Sequence, residues 1–452
     1  MELVIVLIVA IAFVVLSTSM FKIHPFLALL GAAFLTALLS GLPLGDIAKT
    51  ISGGFGGILG YIGLVIMLGT IIGTILERSG AAITMADTII KLLGERFPHL
   101  TMSLIGYLVS IPVFCDSGYV ILNSLKRSLT KRMNVSAVGM SVALATGLYA
   151  THTFVPPTPG PIAAAGNLGL TNNLGLVIGV GLFVSAITAL AGLAWANFAA
   201  KRYECGEDDE VMENYEELKA RYGVLPTATQ AFSPILIPIL LICLGSVANY
   251  PSAPLGDGSF KEILAFLGSP LNALVIGLFL ALPLIKTNEE NPSKGAALTA
   301  QVNEAIKTAA PILLITGAGG AFGAVLKATG VGPQLGETLS TFGIGLFMPF
   351  IVAAALKTAQ GSSTVALVTT SALVAPMLGD LGLASEMGRV LTVMAIGAGA
   401  MTVSHANDSF FWVVTQFSKM SVSTAYRAQT AATLVQGITG IITVYLLSLV
   451  FL

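Results

Sequence analysis

The chain has 452 residues, 55% of them hydrophobic and only 10% charged, with a formal net charge of −1. Soluble globular domains average about 25% charged residues, so the deficit excludes an ordinary soluble enzyme and assigns most of the chain to hydrocarbon. A near-neutral balance gives no ground for a nucleic-acid partner. The three scattered cysteines, Cys115, Cys205 and Cys243, form no Cys-x-x-Cys pair and read as small apolar residues.

Spanning helices need about 20 apolar residues to cross a ~30 Å core. Such runs lie near 3–20, 25–42, 55–76, 173–199, 232–249, 262–285, 304–326 and 428–452. Met1-Glu2 opens the first run without basic residues, and no small-residue cleavage site follows Ser19. This run reads as a helix that stays, rather than a signal peptide.

Four further stretches are apolar but interrupted. Two are predicted re-entrant hairpins, near 101–125 around Asp116-Ser117-Gly118 and near 341–378 around Gly361-Ser362-Ser363-Thr364. The other two are predicted broken helices that cross, 134–170 around Thr151-His152-Thr153 and 389–417 around Ser404-His405-Ala406-Asn407-Asp408. A hydrophilic stretch at 200–231, rich in Asp and Glu, divides the chain near its middle.

The halves echo each other. Gly73 to Gly80 matches Gly323 to Gly330, each is followed by a small polar tip, and each half then reaches a second break, Thr151-His152 against Ser404-His405. Three landmarks in register point to an internal repeat. The expected organisation is N-terminal helices at 1–52, a first repeat at 53–200, a cytoplasmic acidic loop at 201–231, linking helices at 232–302 and a second repeat at 303–452. The predicted fold class is therefore an all-α polytopic membrane protein with inverted-topology repeats, two re-entrant hairpins and two broken helices.

Charge gives the orientation. With ten crossings, seventeen of the Lys and Arg residues, from Lys22 to Arg427, share one face; Lys49, Lys261, Lys327 and Arg389 take the other, and Lys357 falls inside the second hairpin. Cytoplasmic loops carry the excess of Lys and Arg, so both termini are expected outside. The loop Lys126–Arg132 after the first hairpin is basic whereas Gly379–Leu383 after the second is not, as hairpins opening to opposite sides require.

Interrupted backbone survives in a bilayer only inside protein or beside a watery cavity, so the four breaks are expected to meet near the midplane. Helix N-termini there would suit a carboxylate substrate. The candidate binding residues are Asp116, Ser117, Gly118, Thr151, His152, Thr153, Gly361, Ser362, Ser363, Thr364, Ser404, His405, Asn407 and Asp408. Asp116 and Asp408 are intramembrane carboxylates, costly unless used for ion or proton carriage; the competing reading makes each an N-cap, Asp116 for 118–125 and Asp408 for 409–417. His152 is either a proton relay or a packed residue, and together with the two carboxylates it is the candidate coupling group. Two histidines without clustered partners argue for no metal. Lys357 either attracts an anion or snorkels from a hairpin arm.

At these residues the chain resembles the GntP family of gluconate permeases within the ion-transporter superfamily. The likeness rests on Lys22 to Leu30, Pro156-Pro157-Thr158-Pro159-Gly160-Pro161, Gly317 to Phe322, Gly361 to Ala366 and Ser404 to Trp412. It implies a proton-coupled sugar-acid symporter of the bacterial inner membrane, without cofactor. It also implies a homodimer of scaffold and transport domains working by an elevator motion. Family members often carry His at the position of Thr158, and an aromatic residue followed by Glu at Cys115-Asp116. These departures leave D-serine, glycerate or another small carboxylate as alternatives to gluconate; sodium is an alternative to the proton because hairpin carbonyls and Ser/Thr hydroxyls could also hold it. No Gly-x-x-x-x-Gly-Lys-Ser/Thr, Gly-x-Ser-x-Gly or His-Glu-x-x-His motif supports a pump or an intramembrane hydrolase, and an open channel is the weaker transport reading.

Overall fold

The computed structural model describes residues 2–21, 23–93, 97–206, 220, 222–248, 258–287, 292–329, 345–405 and 408–452, and every regular element among them is helical. The first half runs through α1 (Glu2–Ser19), α2 (Pro25–Leu39), α3 (Leu44–Ser79), α4 (Ala81–Leu93), α5 (Pro98–Val109), α6 (Cys115–Arg132), α7 (Ala137–Phe154), α8 (Pro159–Asn167) and α9 (Leu174–Ala199). After α10 (Ala228–Ala248), α11 (Ser259–Leu267) and α12 (Pro270–Ala281) come α13 (Lys294–Ala328), α14 (Phe347–Gln360), α15 (Ser363–Val374), α16 (Glu386–Met401), α17 (Ser409–Phe417) and α18 (Ala431–Phe451). Five helices among the described residues are long and apolar enough to cross a membrane, or seven if each bent pair is one span.

The order of elements recurs. Each half presents a very long helix (α3, α13), two helices joined at a short tip (α5–α6, α14–α15), a helix interrupted before a nine-residue helix (α7–α8, α16–α17) and a final long helix (α9, α18). Local chemistry sets the interruptions. Pro156 and Pro157 offer no N–H, so α7 ends at Phe154, Val155 turns extended, and Pro159 starts α8 where a missing donor costs nothing. In the second half Gly361 takes φ 87°, the left-handed conformation that ends α14, and the Ser362 hydroxyl accepts from Val365 N to start α15.

Small residues bring the helices together, as membrane interiors favour. A methyl on Gly147 of α7 would fall 2.1 Å from Ser103 O, and one on Gly106 of α5 would fall 2.6 Å from Leu144 O. The first tip is thereby pressed against the first broken helix. The same close approach joins α3 to α13, where Gly54 faces the Gly320 carbonyl at 2.6 Å; Gly53, Gly56 and Gly57 meet nothing comparable. At the opposite ends of these two helices, Arg78 pairs with Glu304 at 2.5 Å.

The segment Lys126–Arg132 differs from its reading as a loop. It continues α6, and the chain turns only at Met133. Lys126 is fully buried, donating to Ser141 Oγ at 3.0 Å and lying 5.7 Å from the Tyr119 ring centre. The reason is amphipathic: a lysine can face inward where a hydroxyl and an aromatic face receive it. Gly330, much of the acidic loop and the start of the 341–378 stretch lie outside the described residues.

Candidate functional site

Three helix N-termini, those of α6, α15 and α17, meet on one cavity of about 260 Å³. It is lined by Phe114, Cys115, Asp116, Tyr149, His152, Gly361, Ser362, Ser363, Thr364, Asp408, Ser409 and Phe410. Both halves contribute, and every lining residue lies on α7 or at the α5–α6, α14–α15 and α16–α17 junctions. Unpaired N–H groups and positive dipole ends at such termini favour an anion.

Of the expected binding residues, Asp116, His152, Gly361, Ser362, Ser363, Thr364 and Asp408 line the cavity. The other described ones are spent on structure. The Thr151 hydroxyl donates to Tyr107 O at 2.8 Å, and the Thr153 hydroxyl to Tyr149 O at 3.1 Å. Gly118 packs under Leu148, and Ser117 turns to Glu77 at the end of α3. His405 Nε2 lies 2.9 Å from Thr358 O. Asn407 falls outside the described residues.

The two carboxylates occupy different settings. Asp408 is the N-cap of α17: its Oδ1 accepts from Phe410 N at 3.1 Å. Its Oδ2 accepts from Ser404 Oγ at 2.5 Å and from Lys357 Nζ at 2.6 Å. Lys357 is fully buried, and its ammonium also donates to Gly361 O at 2.5 Å and sits 5.7 Å from the centre of the Tyr149 ring. It neither snorkels nor lines the cavity, because it is fully buried with its ammonium engaged by Asp408 and Gly361 within the protein. Asp116 caps nothing, since the N-cap of α6 is Phe114 and Asp116 lies in the first turn. The Cys115 thiol at 3.8 Å and the Ser409 hydroxyl face its carboxylate, yet Oδ1 is buried without a hydrogen bond.

An aromatic wall closes one side. Tyr149 stacks on Phe410 with ring centres 5.1 Å apart and on His152 at 6.4 Å, and Phe114 leans on His152 at 6.0 Å. His152 Nδ1 is likewise buried without a partner. With the Tyr149 hydroxyl, Asp116 Oδ1 and His152 Nδ1 make three buried polar atoms without a hydrogen bond on residues of one small cavity. Buried polar groups are ordinarily satisfied, and an exception at a cavity points to a ligand or water that completes it.

Sequence reasoning missed Cys115, Tyr149, Ser409 and the Lys357–Asp408 pair. Tyr149 stands one helical turn before His152, and three-residue spacing would have set both on one face of α7. Lys357 stands four residues before Gly361, the spacing that lets its side chain reach the tip.

The GntP family permease model matches residues 1–450. A gluconate permease from Pseudomonas aeruginosa is 34% identical over 98% of this chain and 97% of its own length. The D-serine transporter DsdX from Escherichia coli is 33% identical over 98% of both chains. Among solved structures, the YdaH transporter of Alcanivorax borkumensis aligns with a TM-score of 0.66 at 14% identity over 93% of this chain and 97% of that one, a likeness of fold. A cavity built from interrupted apolar helices and a family match over nearly the whole length agree: the chain is a membrane transport protein, not an enzyme, and belongs to the GntP permease family.

Proposed function

We propose that the chain is a secondary active transporter of the bacterial inner membrane that takes up a small carboxylate, in the first instance a sugar acid such as gluconate, together with protons. The observation that carries this reading is the convergence of three helix N-termini on a cavity that also holds an incompletely bonded carboxylate. The N-termini and their Ser362, Ser363 and Ser409 hydroxyls suit the substrate carboxylate; Asp116 and His152 suit its hydroxyls. A volume of 260 Å³ lies below the ~300–1,000 Å³ of drug-sized ligand pockets, which favours a small solute.

Asp116 is the better proton carrier. Asp408 is engaged by an ammonium 2.6 Å away and by its capping role, whereas Asp116 has an oxygen without a hydrogen bond that can receive a proton. Binding a monoanion beside a protonated Asp116 leaves the site's charge unchanged by the proton–substrate pair. The lining residues all belong to the hairpins and broken helices, which supports an elevator motion of that unit past α3 and α13. The recurring element order supports inverted repeats, the positive-inside count supports both termini outside, and a homodimer follows the family pattern.

A second substrate reading has its own support. The relative DsdX is named a D-serine transporter, and a zwitterion would set its carboxylate on the N-termini and its ammonium on Asp116. Proteoliposome counterflow with gluconate, glycerate and D-serine, under imposed proton or sodium gradients, separates the substrates and the coupling ions. A carrier accelerates labelled substrate against unlabelled substrate inside; an open pore does not.

A further inference from the structure

A second concavity, about 590 Å³, lies apart from the central cavity. Its walls are the N-terminal half of α3 at Gly54 and Gly57, the end of α8 at Asn167 and the end of α13 at Lys327. The end of α15 and the start of α16 at Arg389 complete it. It lies at the end of α3 and α13 opposite the Arg78–Glu304 pair. One helix joins the two cavities: Ser363 of α15 lines the first and Ala372 the second, nine residues or about 13 Å along the axis.

The lining holds two cations and no acid. The side chain of Lys327 is exposed, and Arg389, half-buried, spends its Nε on Ala384 O at 3.0 Å. Among the described residues Asp380 and Glu386 are the acids nearest Arg389 in sequence, and neither comes within 4 Å of either cation. Much of the remaining wall is glycine and alanine, with Gly320 and Gly323 on α13, Gly166 at the end of α8 and Gly169 just after it. Such a wall lets a ligand reach the backbone.

We propose that this groove is a second anion site, where a small carboxylate is captured on the outer face before it reaches the central cavity. The inference rests on the carboxylate substrate and the outward placement of this face in the proposed function. Two like charges over a concave, low-dielectric floor raise the local concentration of a counter-ion, an effect that ionic strength weakens.

The test reads the groove without relying on transport. Ala384→Cys, with Gly379→Cys as an independent reporter, places a thiol on the exposed rim. Intact cells carrying each variant are treated with membrane-impermeant methanethiosulfonates, one anionic and one cationic, with the parent chain's labelling subtracted. The expected result is faster reaction with the anionic reagent, by on the order of ten-fold. That preference should be lost in the Lys327→Gln/Arg389→Gln background and weaken as salt rises. Gluconate, glycerate or acetate should slow labelling more than chloride at equal ionic strength. A reagent preference absent at both positions or untouched by the double substitution, or labelling that no carboxylate slows, would overturn the site. Labelling confined to inside-out vesicles would overturn the capture role. Gluconate, glycerate and D-serine counterflow on the unsubstituted chain reports separately whether the transport reading itself fails.

Discussion

Lys357 Nζ stands 2.6 Å from Asp408 Oδ2, and through this pair the end of α14 is tied to the start of α17. Neither side chain has appreciable access to solvent. A buried pair of this kind contributes little against a well-packed apolar substitute, but losing one partner leaves an uncompensated charge, at about 3–5 kcal/mol. Asp408→Asn keeps the cap, because Asn is as good an N-cap as Asp, and so isolates the charge. The expected outcome is a clear fall in the thermal midpoint in detergent for Asp408→Asn and for Lys357→Met, with most of it recovered in the double variant. Additive losses would mean that the two residues do not act as a pair.

Asp116 is expected to separate coupling from binding. Asp116→Asn should retain counterflow of substrate, because the N-termini and hydroxyls of the cavity remain. It should lose accumulation driven by an imposed proton gradient. Accumulation at the unsubstituted level would remove Asp116 from the proton pathway.

His152 faces the cavity with an unbonded Nδ1 and is packed by Tyr149 and Phe114. His152→Leu keeps bulk and loses the polar atom. The expected result is a KM higher by roughly two- to ten-fold, the worth of a hydrogen bond between uncharged groups, about 0.5–1.5 kcal/mol. His152→Gln should recover part of it. An unchanged KM in His152→Leu would leave the residue a purely packed one.

Gly147 is where the first hairpin and the first broken helix touch most closely. A β-carbon there would meet the Ser103 carbonyl, so Gly147→Ala must part α5 from α7, with an expected loss of about 1–3 kcal/mol. Gly179 on α9 has nothing within 4 Å, and Gly179→Ala should be neutral or mildly stabilising. Midpoints of thermal unfolding for the two variants check the contrast.

Much of the fold was legible because a bilayer punishes irregular backbone, so the interruptions stand out against apolar runs. The second break was read to the residue at Asp408 and 409–417, since Asp before an apolar nine-residue stretch is a strong cap signal. The competing cap reading of Asp116 does not hold, because α6 begins at Cys115 with Phe114 as its N-cap and Asp116 in the first turn. The polar residues at the breaks divided in a way that spacing alone does not reveal. Thr151 and Thr153 look equivalent to His152 in sequence, yet adjacent helical residues point in different directions, and these two spend their hydroxyls on backbone carbonyls. Lys357 was legible as a charge in an apolar hairpin; its partner was not, because Asp408 lies 51 residues away and meets it only through the fold.

The most direct test is a cryo-EM map of the transporter with the best counterflow substrate bound. The account expects new density in the 260 Å³ cavity, with the carboxylate against the first turns of α15 and α17 and a hydroxyl or ammonium toward Asp116. Substrate density elsewhere, with that cavity unchanged, would contradict it.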